Sequence, residues 1–170
     1  MISKKLEKAI NEQINRELFS EYLYYAMYAW FADENLDGMA KWMEAQAQEE
    51  HFHAMKFFKY LIERGGRVQL MAIEKPEFEF SNPLKAFSMA LEHEKYITKN
   101  IDKLMDLAIK ENDHASRSFL QWYVDEQVEE ESSVEFIVKR LEMIGSNMHG
   151  VLMLDNELGK RVYTPEETEE

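Results

Sequence analysis

Glu49-Glu50-His51-Phe52-His53 lies in the middle of a stretch, residues 39–64, in which Met39, Met43, Gln46, Glu50, His53, Phe57 and Tyr60 recur every three or four positions. That spacing places all of them on one face of a single helix. The face is apolar at both ends and polar at its centre. Burying such a surface costs several kcal/mol per uncompensated charge, so its middle calls for a partner.

Three other long stretches have the same design. Ser3 can cap a first helix bearing Leu6, Ile10, Gln13, Glu17, Ser20, Tyr24, Met27 and Phe31 on one face, with the period breaking over residues 33–38. Gly65-Gly66 ends the second helix, and residues 67–81 show no helical period. Asn82-Pro83, a cap followed by a first-turn proline, opens a third helix to about residue 111, with Phe87, Ala90, Glu94, Ile97, Ile101, Leu104 and Ala108 on its face. Asn112-Asp113 turns the chain into a fourth helix, which carries Leu120, Tyr123, Gln127, Glu130, Val134, Ile137, Leu141 and Ile144 and stops at Gly145. A short fifth helix fits residues 148–158, with Gly159 as its stop. Residues 1–163 read as one domain, and the polar, acidic tail 164–170 is expected to be mobile.

Link lengths determine how these helices lie. The first and second, and the third and fourth, are joined by a few residues each and must be antiparallel neighbours. The link between the second and third has about fifteen residues, which at about 3.3 Å each can run the roughly 40 Å length of a bundle. The expected fold is therefore all-α, a four-helix bundle with one long crossover and a short fifth C-terminal helix.

Glu17, Glu50, Glu94 and Glu130 all fall near mid-helix, and midpoints meet in a bundle whichever way each helix runs. Four carboxylates in one buried layer would force protons onto some of them, whereas two divalent cations would cancel the charge. His53 follows Glu50 by three positions and shares its face, the Glu-x-x-His arrangement of carboxylate-bridged dimetal bundles. Oxygen ligands with one imidazole suit Fe(II), Mn(II) or Zn(II), and oxygen chemistry favours iron. Tyr24, two turns beyond Glu17 on the same face, can donate a hydrogen bond or an electron beside the site.

Composition removes several classes. A formal net charge of -13 opposes a nucleic acid partner. The absence of cysteine excludes disulfides, iron–sulfur clusters and thiolate metal sites. The opening Met1-Ile2-Ser3-Lys4-Lys5-Leu6-Glu7 is amphipathic and no run approaches membrane-spanning length, so the chain reads as soluble and cytoplasmic, with no membrane partner.

Glu17, Glu49-Glu50-His51-Phe52-His53, His93-Glu94, and Trp122 with Glu126-Gln127-Val128-Glu129-Glu130 together resemble the bacterial non-haem ferritins over essentially the whole chain. The resemblance implies one iron position at Glu17, Glu50 and His53 and a second at Glu50, Glu94 and Glu130, with Glu50 as the bridge. It implies Gln127 as an amide on the oxygen-facing side, and a third, looser iron position at Glu49, Glu126, Glu129 and Glu130. It further implies an iron storage protein with ferroxidase activity, in which dioxygen or hydrogen peroxide oxidises Fe(II) to Fe(III) and ferric oxide collects in a homo-oligomeric cage of 24 subunits. No haem is expected, since His51 stands where bacterioferritins place a haem-ligating methionine. Helix four carries Gln-x-x-Glu where bacterioferritins and rubrerythrins carry a second Glu-x-x-His, so the two metal positions should be unequal. Two other functions remain open: a rubrerythrin-like di-iron peroxidase, and a non-catalytic helical assembly module whose polar layer fixes register.

Overall fold

The computed structural model describes residues 1–164, which form helices α1 (Lys4–Asp33), α2 (Asp37–Glu63), α3 (Pro83–Lys110), α4 (His114–Ile144) and α5 (Met148–Leu158), with no strand among them. Residues 165–170, most of the expected tail, lie outside the described residues.

Local chemistry starts four of the helices. Leu6 N donates to the Ser3 hydroxyl (3.2 Å), Lys85 N to Asn82 Oδ1 (2.9 Å), Ser116 N to Asp113 Oδ1 (3.0 Å) and His149 N to Asn147 Oδ1 (3.1 Å). Helix α2 begins differently. Its cap residue Leu36 offers no side-chain acceptor, and the Asp155 carboxylate of α5 instead accepts from Met39 N at 2.7 Å. The helix consequently starts at Asp37, two residues before the position expected from sequence, because its cap comes from a distant element. The reversals after α1 and α3 are made by Asn35 (φ 59°) and Asn112 (φ 54°), one of the few non-glycine types that tolerate the left-handed region.

The core is divided in two. One apolar cluster gathers Leu6, Ile10 and Ile14 of α1, the C-terminal half of α2 with Phe57 and Leu61, the C-terminal half of α3 with Ile101, and the start of α4. The other gathers the end of α1, the beginnings of α2 and α3, the end of α4, and Val151, Leu154 and Leu158 of α5. The C-termini of α2 and α3 thus share one end of the bundle, so these helices run parallel, and the link between them crosses from one end to the other as its length predicts. Val68 packs on the first cluster and Phe80 on the second. Asn11 pins the start of the link, donating to Arg67 O (2.9 Å) and accepting from Gln69 N (2.6 Å). Arg64 at the end of α2 pairs with Asp113 at the start of α4 (2.9 Å), which raises the guanidinium pKa and lowers that of the carboxyl group.

Each fully buried Leu, Ile, Met or Phe contributes roughly 1.5–3 kcal/mol. Two such clusters can offset the cost of an expensive polar layer between them.

Candidate metal centre

Every residue read onto the inner seam from its spacing is buried except Ile144, which is partly buried at the bundle end. Between the two apolar clusters the seams place Glu17, Glu50, His53, Glu94 and Glu130, none more than 6% exposed. Glu17, Glu50 and His53 present ligand atoms within 4.8 Å of one another, and so do Glu50, Glu94 and Glu130. Glu50 belongs to both triads and stands where a bridging ligand would. The His53 Nδ1 faces Glu50 Oε2 at 3.6 Å and Glu130 Oε1 at 3.9 Å. The imidazole is walled by the Trp122 and Tyr123 rings, and Tyr123 donates its hydroxyl to the His53 carbonyl at 2.8 Å.

Burial is the main force on these carboxyl groups. It raises the pKa of Glu17, Glu50, Glu94 and Glu130 above 4.5, and for Glu50 and Glu130 the neighbouring carboxylates add repulsion that pushes them well above it. Nearby dipoles oppose the shift for Glu94, which accepts from the Tyr24 hydroxyl and, at 3.3 Å, from Gln127 Nε2. Burial and the surrounding carboxylates hold the Tyr24 phenol well above 10, so it stays protonated and remains a donor. His93, beside Glu94 in sequence, faces away toward Ser20 Oγ (2.7 Å), and burial lowers its pKa to about 4.

Three carboxylate oxygens, Glu17 Oε2, Glu50 Oε2 and Glu130 Oε2, are buried without any hydrogen-bond partner. A buried acceptor left unpaired costs about 1–3 kcal/mol, more if charged. Hard divalent cations are the partners that oxygen-rich triads with one imidazole fit.

The residues expected to hold a third iron are brought together only in part. Glu126 and Glu130 present ligand atoms within 4.8 Å of one another and of His53, whereas Glu49 is ion-paired with Arg161, and Glu129 is exposed and outside the groupings found among the described residues. Two amides had no assigned role on the seam although they lie on it. Gln13, one turn before Glu17, donates to its Oε1 at 2.7 Å. Gln46, one turn before Glu50, donates to Glu130 Oε1 at 2.9 Å and to Glu50 Oε1 at 3.4 Å. A glutamine one turn ahead of a buried glutamate was the available signal. Arg161 gave none, since it lies beyond the last periodic helix.

A family profile described as a ferritin-like domain matches residues 7–144. The bacterial non-haem ferritin of Staphylococcus aureus (strain USA300) is 37% identical over 166 residues, covering 98% of this chain and 100% of that one. That of Bacteroides fragilis (strain 638R) is 40% identical over 161 residues, covering 95% and 100%. Among solved structures, an open-pore ferritin from the hyperthermophilic archaeon Archaeoglobus fulgidus superposes with a TM-score of 0.94 at 48% identity, covering 95% of this chain and 100% of its own. A crossed bundle with carboxylates gathered at mid-height, matched to these proteins over nearly its whole length, places the chain in the ferritin family.

Proposed function

We propose that the chain stores iron, oxidising Fe(II) at the Glu17/Glu50/His53/Glu94/Glu130 layer and depositing it as ferric oxide inside a cage built from copies of itself, 24 by the family pattern. The observation that carries this reading is the set of unpartnered buried oxygens on Glu17, Glu50 and Glu130 at one height in the bundle. Four carboxylates balance two divalent cations without residual buried charge. The two triads are unequal, one containing an imidazole and the other only carboxylates, so the two ions are held differently.

Iron is here the substrate. Each Fe(II) gives up one electron, and dioxygen takes two with two protons to leave as hydrogen peroxide. Peroxide can serve as acceptor in its turn. The chain's part is to hold two ions side by side through Glu50, to keep Glu94 oriented by the Tyr24 hydroxyl and the Gln127 amide, and to exclude water by the apolar clusters on either side. Fe(III) is a harder cation than Fe(II), and its departure needs further oxygen ligands nearby. Glu126, beside His53 and Glu130, is such a group, and it supports a third and looser position that Glu49 would complete. Among the described residues no helix is long and apolar enough to cross a membrane.

Anaerobic Fe(II) loading followed by an oxygen pulse tests this. We expect two Fe(II) bound per chain before the pulse, a fast rise in ultraviolet absorbance after it, and an iron core inside a large particle. A protein that binds no Fe(II), or that reacts only with peroxide and forms no mineral, would overturn the reading.

A further inference from the structure

Arg161 lies three residues beyond α5 and reaches the metal centre's edge on α2. One guanidinium nitrogen donates to the Glu49 carboxylate, and the other donates to Gln46 Oε1 at 3.0 Å. The guanidinium also stands over the Trp42 ring, 4.5 Å from its centroid. Its place is set by how α5 docks. A Cβ on Gly38 would lie 1.8 Å from the Asp155 carbonyl, and one on Gly159 would lie 3.0 Å from the Gly38 Cα, so the two helices touch backbone to backbone. The segment carrying Arg161 leaves α5 from that fixed contact.

An amide has one oxygen to accept with and one NH2 group to donate with. With Arg161 on Gln46 Oε1, the Gln46 NH2 must point the other way, and it does, at Glu130 and Glu50. Glu49 lies close enough to Glu130 for its charge to be felt there. Arginine is permanently cationic and its planar fork suits a carboxylate with an aromatic face beneath it. The guanidinium therefore supplies Glu49 with the positive charge that a metal ion at the looser position would otherwise provide.

We propose that Arg161 is a resident cation at this edge of the centre, a positioning residue that keeps Glu49 engaged and Gln46 oriented, so that a third metal ion binds only in competition with it. The inference rests on the two-metal reading above. It makes uptake ordered: the buried pair of positions fills first, and the third accepts an ion weakly until Arg161 lets go of Glu49.

The test is calorimetric titration of Zn(II), with anaerobic Fe(II) in parallel, into the assembled protein and its Arg161→Gln, Arg161→Lys and Glu49→Gln forms. Glutamine can still donate to Gln46 Oε1 but brings no charge. We expect Arg161→Gln to tighten the third ion about tenfold relative to the first pair, the loss of a partly desolvated cation at the site. Arg161→Lys, which keeps the charge, should leave the third ion as weak as in the parent, and Arg161→Gln combined with Glu49→Gln should show no tightening. A first pair bound normally with a third ion unaffected by Arg161→Gln overturns this inference alone. A parent protein that fails to bind the first pair overturns the reading of the centre, and this inference with it.

Discussion

Glu50 is the residue on which both triads close, and its second oxygen has no partner in the folded chain. Replacing it should therefore act in opposite directions on activity and on metal-free stability. Glu50→Ala is expected to lower the initial rate of Fe(II) oxidation about 100-fold or more, since even outer-sphere partners of metal ligands cost about 10–100-fold. The same change removes a buried carboxyl repelled by Glu94 and Glu17, so the metal-free protein should melt no lower than the parent despite the lost side chain. A stopped-flow rate within a few-fold of the parent would sink the bridging role. Glu129→Ala should leave the initial rate unchanged, because that side chain is exposed and outside the buried groupings. These five candidate ligands are legible in the sequence for a simple reason. A carboxylate in the middle of an apolar seam is costly, and five polar groups at one level are hard to explain except by a shared cation. The glutamines behind them sat on the same seams but looked interchangeable with any polar filler, and Arg161 lay where no periodicity constrains a side chain.

Among the elements, α5 is the one whose importance the sequence understated. It reads as a short helix between Met148 and Leu158 stopped at Gly159, and it forms over those residues, with Asn147 supplying the cap. What the spacing did not reveal is that Asp155 reaches back 116 positions to cap α2 at Met39. Capping from so far away leaves no local trace, and this is why α2 starts two residues ahead of the apolar period that marks it. The crossover link, by contrast, was legible because length alone decides it: a short connection cannot make α2 and α3 parallel. Asp155→Ala is expected to destabilise the protein by about 1 kcal/mol, the ordinary worth of a helix cap, and to speed hydrogen exchange at the Met39 amide while leaving the amides at the far end of α2 protected. Uniform exchange along α2 in the variant would contradict the assignment. Gly38→Ala should be worse, because its new methyl group meets the Asp155 carbonyl rather than a flexible side chain, so α5 must shift as a body.

At the scale of the whole molecule the bundle is two apolar cores separated by a layer that repels itself until cations arrive. The pH dependence of stability follows from that layer, and two sets of groups act with opposite signs. Burial lowers His93 from 6.5 to about 4, so the unfolded chain binds the extra proton between those values and His93 favours folding more as pH rises through them. Glu17, Glu50, Glu94 and Glu130 are raised above 4.5, so the folded chain holds protons that the unfolded chain has lost. Their stabilising contribution is complete below 4.5 and disappears as pH climbs through the raised folded values. Below 6.5 the two trends compete, and above it only the carboxyl groups remain. The metal-free protein is therefore expected to melt at progressively lower temperature as the pH rises above 6.5, each group still protonated in the folded state contributing up to about 1.4 kcal/mol per pH unit. Glu50→Gln, which cannot ionise, should flatten that slope. Zn(II) should abolish it, because a bound cation replaces the protons and holds the carboxylates ionised at every pH in the window. Calorimetric melting of the three samples across that range checks the argument. A metal-free protein that melts higher as the pH rises above 6.5 would mean that the layer is not the strained, proton-hungry element that its burial and crowding make it.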